Sequence, residues 1–399
     1  MKLSRRVLEL TSSATLQAKA DAEKVRREGI DVVDFGPGEP DFHTPEIIKE
    51  AAKRALDEDF THYTETAGIA GLREALAGRY RRDYGTDYRA EEVFVGCGAK
   101  NVLYLIAQAA FNPGDRVAMF APHWVSFPDQ VRLAGAEPVV LSTREEDDFI
   151  PRCAALEAEL RKAPIRALIL NSPCNPTGAA LPADELARFA ALAARHDFLL
   201  ISDETYEFFY YGAGRFGSFA ALASEVRGQL VLVSSFSKSY AMTGWRVGYA
   251  LGPQPLIAAI TKIQSHDATH TASFSMKGAL AALDAPRSIL DSMREEYRRR
   301  RDLMVRGLRE VEGIACREPA GAFYVFPNVT GLMSRFGCRD SSRLARGLLL
   351  GPGIATVAGS AFGCDGHLRL SYATSPERIR EGLRRLRECR ELPAAATSE

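Results

Sequence analysis

Four side chains in this sequence stand where short apolar runs stop. Lys238 closes "LVLVSSFSK" (230–238), Asp203 closes "FLLISD" (198–203), Tyr206 follows three residues later, and Asn175 lies in "NSPCNPTG" (171–178) after "RALIL". Singly, each has an ordinary reading: a solvated lysine, a loop acid, a polar turn. Short, continuous apolar runs between amphipathic segments, however, read as parallel strands covered on both faces. Ligands bind at the carboxyl ends of such strands. One sheet edge would then gather an amine, a carboxylate, a phenol and an amide.

That set suits pyridoxal 5′-phosphate. An amine condenses with the cofactor aldehyde, and a carboxylate keeps the pyridine nitrogen protonated so that the ring draws electrons. A phenol and an amide can hydrogen-bond the ring oxygen. The phosphate needs an anion cradle, for which "GCGAKN" (96–101), with Gly98 and Ala99 opening an apolar helical stretch, offers free N–H groups and a favourable dipole. Arg246, near Ser235 and Ser237, offers a forked cation.

The elements that must hold these groups alternate along the chain. Residues 14–28, 45–59 and 70–85 read as amphipathic helices, with a short strand at 31–35 and a turn-rich loop, "PGEPDFHTP", at 37–45. Strands "EVFVGCG", "RVAMFAP", "EPVVLS", "RALILNSP", "FLLISDE", "LVLVSSF" and "RVGYALG" follow, with helices "AKNVLYLIAQAAF", "SFPDQVRLAG" and "PADELARFAALAARHD" among them. Beyond about residue 285 the pattern changes to one long charged helix, the short apolar segments "GAFYVFPNV", "GIATVAGSAFG" and "HLRLSYA", and helices near 341–350 and 376–390. The expected fold class is α/β: a mostly parallel central sheet with helices on both faces and a smaller α+β domain. The expected division is an N-terminal arm and part of the small domain at 1–45, a large domain at 46–284 and the rest of the small domain at 285–399, ending in an unstructured "LPAAATSE".

Bulk properties narrow the classes. The 399 residues are 46% hydrophobic and 26% charged, and Lys+Arg balances Asp+Glu at 51 each, so no electrostatic footprint for nucleic acid or an anionic membrane exists. The seven cysteines are scattered without a CxxC pair, which argues against a disulfide framework or a zinc knuckle. No metal site is expected. The N-terminus lacks the apolar core of a signal peptide and no run is long enough to span a bilayer, so the expected location is the cytoplasm.

Seven motifs, "GPGEPDFHTP", "HYTETAGIAGLREAL", "NSPCNPTG", "SDETYE", "SFSKSYAMTGWRVGY", "PAGAFY" and "HLRLSYATS", together resemble the class I aminotransferases of pyridoxal-phosphate fold type I, nearest the bacterial aspartate aminotransferase subgroup. The resemblance runs in order from about residue 5 to 390. It implies that Lys238 is the Schiff-base lysine and the proton carrier, that Asp203 pairs with the pyridine nitrogen, and that Tyr206 and Asn175 hold the ring oxygen. It implies that Trp124 stacks on the ring and that Gly98, Ala99, Ser235, Ser237 and Arg246 line the phosphate. Tyr63 would reach in from the other subunit of a homodimer with shared active sites. Arg369 would clamp the substrate α-carboxylate, assisted by Gly38 and Asn175, with Phe323 lining the pocket. Lys100 would read a distal carboxylate, supported by Ser13 and Thr15.

These roles imply transfer of an amino group between an aspartate-like L-amino acid and a 2-oxo acid by a ping-pong mechanism. One stretch departs from the family pattern. In "QSHDATHTASFSMKG", His266, Asp267 and His270 stand where small polar residues are usual, and His123 stands where Tyr is common. A polar loop variant is one reading. The other is altered specificity, toward aromatic or arogenate-type substrates, or a different reaction such as a β-lyase or a specialised amino-acid-modifying enzyme. An effector-binding regulator lacks room for a helix-turn-helix module, and a nicotinamide dehydrogenase lacks its GxGxxG.

Overall fold

The structure is a computed structural model and describes residues 2–8, 10 and 13–393; most of the terminal "LPAAATSE" falls outside these. Twelve strands are present among the described residues: β1 (Val33–Asp34), β2 (Val93–Gly96), β3 (Arg116–Ala121), β4 (Glu137–Ser142), β5 (Ala167–Asn171), β6 (Leu199–Asp203), β7 (Leu230–Ser235), β8 (Gly248–Leu251), β9 (Tyr324–Val325), β10 (Ile354–Ala355), β11 (Val357–Ala358) and β12 (Leu368–Ser371). Seven of them form one sheet in the order β2-β8-β7-β6-β5-β3-β4. All neighbours run parallel except β8, which opposes both β2 and β7. The α/β class read from the sequence is the observed one. β2 and β8 are a refinement, since apolar content alone does not reveal strand direction.

The inner parallel strands β3, β5, β6 and β7 are almost wholly buried because helices cover both faces, while the edge strand β4 stays partly exposed. Val93, Val95, Leu168, Leu170, Leu200, Leu230 and Leu232 belong to one core, and Phe94, Val117, Met119, Ile169, Ile201, Val231 and Val233 to a second. Alternate residues of each strand thus serve opposite faces, as the pleat requires. The register Asn171↔Asp203↔Val233 brings the ends of β5, β6 and β7 level.

Most expected helices form within one or two residues of their predicted ends. Ala70–Tyr84 stops at Gly85, which takes φ +72°. Helices Cys153–Leu160, Gln254–Gln264, Ser273–Leu283 and Thr330–Phe336 were not read from the sequence. Ser273–Leu283 buries Ser273, Ser275, Met276, Gly278, Ala279 and Ala282, mostly small residues that leave no apolar stripe to detect. In the C-terminal third, β12 pairs antiparallel with β11 and β9, and β10 pairs in parallel with β1 from the N-terminal segment.

A buried ion pair fastens the chain behind the strand ends. Arg79 Nη2 donates to Glu207 Oε2 (2.5 Å) and Nη1 donates to Tyr249 Oη (2.7 Å), tying helix Ala70–Tyr84 to the turn that follows Tyr206. Both charges are buried. Arg79→Met would strand the Glu207 carboxylate in the core. We expect a loss of about 3–5 kcal/mol of stability, read as a lowered midpoint in urea unfolding.

Candidate active site

A cavity of about 450 Å³ opens at the carboxyl ends of β5, β6 and β7. Five basic side chains line it, Lys19, Lys100, Lys238, Arg246 and Arg369, against two acidic ones, Asp203 and Glu39. That surplus of positive charge suits ligands carrying more than one anionic group.

Lys238 sits in the single turn Phe236–Ser239 that β7 runs into, and its Nζ donates to the carbonyl of Gly38 (2.5 Å). Burial pushes its pKa down to about 8, and Arg246, Arg369 and Lys100 add to the shift, against Glu39. A neutral amine, the nucleophilic form, is therefore accessible near physiological pH. Asp203 ends β6. Burial lifts its pKa to about 6, opposed by hydrogen bonds from the Thr205 N–H (3.1 Å) and hydroxyl (2.7 Å), both to Oδ1. Oδ2 receives no hydrogen bond among the described residues, so one carboxylate oxygen stays open to a cationic partner.

Asn175 follows β5. Its N–H donates to Asn171 Oδ1 (2.8 Å), while Asn171 Nδ2 donates to the Asp203 carbonyl (3.0 Å). Asn171 thus stitches two of the strand ends together. Tyr206 is buried, and its Oη lies 2.9 Å from Tyr324 Oη. Burial, with Tyr324 next, holds its pKa well above that of a free phenol, which keeps it a hydrogen donor.

Arg369 is 1% exposed. Its Nη2 donates to the Gly36 carbonyl (2.6 Å) and its Nη1 to Asn175 Oδ1 (3.1 Å), while Nε is buried without a partner. Its guanidinium carbon lies 4.5 Å from the Tyr324 ring centre. Burial lowers the pKa of this cation, and no ion pair joins it to an acid among the described residues. A planar anion would complete it.

An anion cradle forms at one end of the cavity. Ala99 begins the helix Ala99–Ala110, with Gly98 as its N-cap at φ +91°. A Cβ on Gly98 would collide with Arg246 Nη2, and one on Gly248 would collide with the Ala99 nitrogen. Only glycines allow β8, the helix start and the guanidinium to approach this closely. Arg246 Nη2 donates to the Cys97 carbonyl (3.1 Å). Ser235 caps the Lys238 turn by accepting from the Ser237 N–H (3.3 Å), and both serines line the cavity. Trp124 lines it as well, with Lys100 Nζ 4.9 Å from its ring centre. Burial and the Arg246 charge lower the Lys100 pKa.

Most residues singled out in the sequence therefore meet in one cavity: Lys238, Asp203, Tyr206, Asn175, Trp124, Ala99, Ser235, Ser237, Arg246, Arg369, Gly38, Lys100 and Thr15. Four stand elsewhere. Gly98 underlies the cradle. Ser13 bonds Thr15 Oγ1 (3.0 Å) and lines a wider neighbouring groove of about 800 Å³. Phe323 is fully buried behind Tyr206, 5.4 Å between ring centres, and the neighbouring Tyr324 takes the cavity face that Phe323 was expected to fill. Tyr63 is 87% exposed, on the outside of the chain. Sequence reading missed Tyr324, Thr205, Asn171, Glu39 and Gly248. Thr205 lies inside "SDETYE" and Asn171 opens "NSPCNPTG", so their position in a motif was the available signal.

The departing residues do not line the cavity. His123 is buried, its backbone N–H donates to the Phe362 carbonyl (3.1 Å), and burial lowers its pKa. His266 and Asp267 are exposed in the loop between helices Gln254–Gln264 and Ser273–Leu283. Among the described residues, no cluster of His, Cys, Asp and Glu could hold a metal, and no helix is long and apolar enough to cross a membrane.

The chain is similar to known proteins over nearly its whole length. The family model for aminotransferase class I and II matches residues 30–386. The aspartate aminotransferase of Bacillus subtilis is 38% identical over 97% of this chain and 98% of its own length. The aspartate/prephenate aminotransferase of Thermus thermophilus is 42% identical over 96% and 97%. The solved structure of an aspartate aminotransferase from Thermus thermophilus with maleate superposes with a TM-score of 0.90 at 41% identity, covering 96% of this chain and 98% of that one.

Proposed function

The chain belongs to the class I and II aminotransferases, and from that premise we propose that it moves an amino group from an aspartate-like L-amino acid to a 2-oxo acid by a ping-pong mechanism. The observation that carries this reading is the convergence of Lys238, Asp203 and Arg369 on one cavity. Pyridoxal 5′-phosphate, the cofactor of this family, supplies an aldehyde for the amine and a ring that accepts electrons from the substrate α-carbon. The donor set fits it: an anion cradle, a buried amine, a carboxylate with one open oxygen, and a buried guanidinium with a free Nε.

Within that site Lys238 Nζ takes the proton from the substrate α-carbon. Asp203, with Oδ2 open, would hold the ring nitrogen in its protonated form. Tyr206 and Asn175 would donate to the ring oxygen, and Trp124 would stack on the ring. Gly98, Ala99, Ser235, Ser237 and Arg246 would hold the phosphate. Arg369 grips the α-carboxylate with its fork beside Gly38, and Lys100, with Thr15 and Ser13 nearby, meets the distal carboxylate. Phe323 acts from behind, by backing Tyr206.

We further propose a cytoplasmic homodimer whose active sites are shared, each chain dividing into 46–284 and a small domain from 1–45 and 285–399. Ile47 and Leu56, Phe274 and Tyr63 are exposed apolar side chains on the packed helices Glu46–Asp57 and Ser273–Leu283 and the loop after the first. A second copy would cover them. Tyr63 then reaches the phosphate held by that copy.

The test is a panel of amino acids added to the holoenzyme, following the visible cofactor band and 2-oxoglutarate turnover, with prephenate among the acceptors. Prephenate is included because one relative's name pairs it with aspartate. Aspartate is expected to be the preferred donor. Lys100→Ala should lower kcat/KM for aspartate about thirtyfold and leave alanine within about threefold. Pyruvate or ammonia released without a 2-oxo acceptor, and no amino transfer, would overturn the reading in favour of a lyase.

A further inference from the structure

The loop that departs from the family pattern contributes no residue to the lining of the cavity. It touches Tyr63. The His270 ring meets the Tyr63 ring edge-on, with centres 5.6 Å apart and planes at 89°, and it is the ring partner of Tyr63 among the described residues. His270 Nδ1 lies 2.7 Å from the Thr271 carbonyl, which can only accept, so Nδ1 carries the proton. Nε2 is then free to accept, and the Thr64 N–H donates to it (3.3 Å). Both ring nitrogens are satisfied by one neutral tautomer, and the second bond falls on the residue next to Tyr63.

The rest of the loop is built to hold that ring. Thr269, a β-branched residue, sits at φ +63°, where such side chains are rarely found, with its N–H donating to the Gln264 carbonyl (2.9 Å). Ser273 Oγ donates to the Phe60 carbonyl (2.6 Å), a second tie to the Tyr63 segment. Lys277 Nζ lies 4.6 Å from the Phe60 ring centre. On its other side the loop reaches the anion cradle of its own chain: Thr271 Oγ1 and Gln264 Nε2 lie 3.9 and 4.0 Å from Cys97 Sγ. Tyr63 is otherwise an exposed side chain, with no second ring contact to fix it among the described residues.

We infer that His270 is a positioning residue for Tyr63, so that the loop 265–271 sets how tightly a second copy holds its cofactor phosphate, not which amino acid is chosen. The inference rests on the proposed sharing of Tyr63 between copies. Free of His270, the tyrosine samples several rotamers, and its hydroxyl must be ordered each time a phosphate binds.

The experiment measures the dissociation constant for pyridoxal 5′-phosphate by titrating the cofactor-free protein and following the visible band, for four variants and wild type at one protein concentration. Tyr63→Phe and His270→Ala are each expected to weaken binding about tenfold, with the melting temperature of the cofactor-free protein unchanged in His270→Ala. The double variant should be no weaker than Tyr63→Phe alone, because His270 acts through that hydroxyl. His270→Gln, whose amide oxygen can accept from Thr64 N–H, should recover binding to within about threefold. Wild-type affinity in His270→Ala beside a weakened Tyr63→Phe overturns the inference and leaves the shared site standing, as does an additive double variant. Wild-type affinity in Tyr63→Phe overturns the shared site, and the inference with it. A dimer lost in His270→Ala by gel filtration also overturns it, assigning the loop to assembly.

Discussion

Lys238→Ala is expected to turn over at least about 10⁴-fold more slowly than wild type, and borohydride is expected to leave no cofactor covalently attached to it. Both results follow from one atom. Nζ lines the cavity and burial brings its pKa down to about 8; of the two other lysines lining it, Lys19 and Lys100, the second lies over the ring of Trp124. Alanine leaves the carboxylate, the cradle and Arg369 in place, so cofactor still binds, without a covalent bond. Equilibrium dialysis separates that outcome from a misfolded protein. In wild type the reacting form is the neutral amine. Cofactor incorporation into the cofactor-free protein therefore accelerates as pH rises through about 8 and levels off above it. A Lys238→Ala variant that keeps a borohydride-reducible adduct and full turnover would remove the lysine from the mechanism.

Asp203→Asn is the second large effect. The amide keeps the shape and can still accept from Thr205, but it carries no charge to hold a proton on the ring nitrogen. We expect kcat to fall about 10²–10³-fold, with a smaller loss in cofactor affinity. The pH dependence separates charge from packing. Burial raises the Asp203 pKa to about 6 in the protein alone. The charged form is thus present above that value and is lost as pH falls through it. Wild-type cofactor affinity should drop on the acid side of about pH 6, and Asp203→Asn should lack that limb. A variant with wild-type kcat would show that the carboxylate is a structural cap for Thr205 and no more.

The groups at the strand ends were legible before the fold was seen, because parallel strands advertise themselves as apolar runs and end where the chemistry begins. Lys238, Asp203 and Asn175 are of this kind. Tyr324 was not. β9 spans two residues, Tyr324 and Val325, too few for an alternation to tell which of Phe323 and Tyr324 faces the cavity. Pairing with β12 at Ser371↔Tyr324 decides it, and that contact joins residues far apart in sequence. Helix Ser273–Leu283 escaped for a related reason: its buried face is small residues against Trp245, 2.7 Å from where a Gly278 Cβ would lie, so its packing is close but its sequence is plain. His270 stood out as unusual, yet its partner, Tyr63, lies some two hundred positions away, and spacing along a chain says nothing of such a meeting.

The reversed strand β8 has a consequence for chain length. Because β8 opposes β7, with Ser235 paired to Gly248, its first residue lies at the same edge where β7 ends. The chain therefore leaves the cavity at Lys238 and is back at Arg246 after one short hairpin. Had the strand run parallel, the same arginine would sit at the opposite edge, about 13 Å away for four residues. Lys238 and Arg246, the proposed covalent anchor and phosphate clamp, are spaced by one short length of backbone. A residue inserted into or removed from 239–245 would therefore be expected to pull one of the two groups out of register with the cavity, a constraint that ordinary surface loops do not carry.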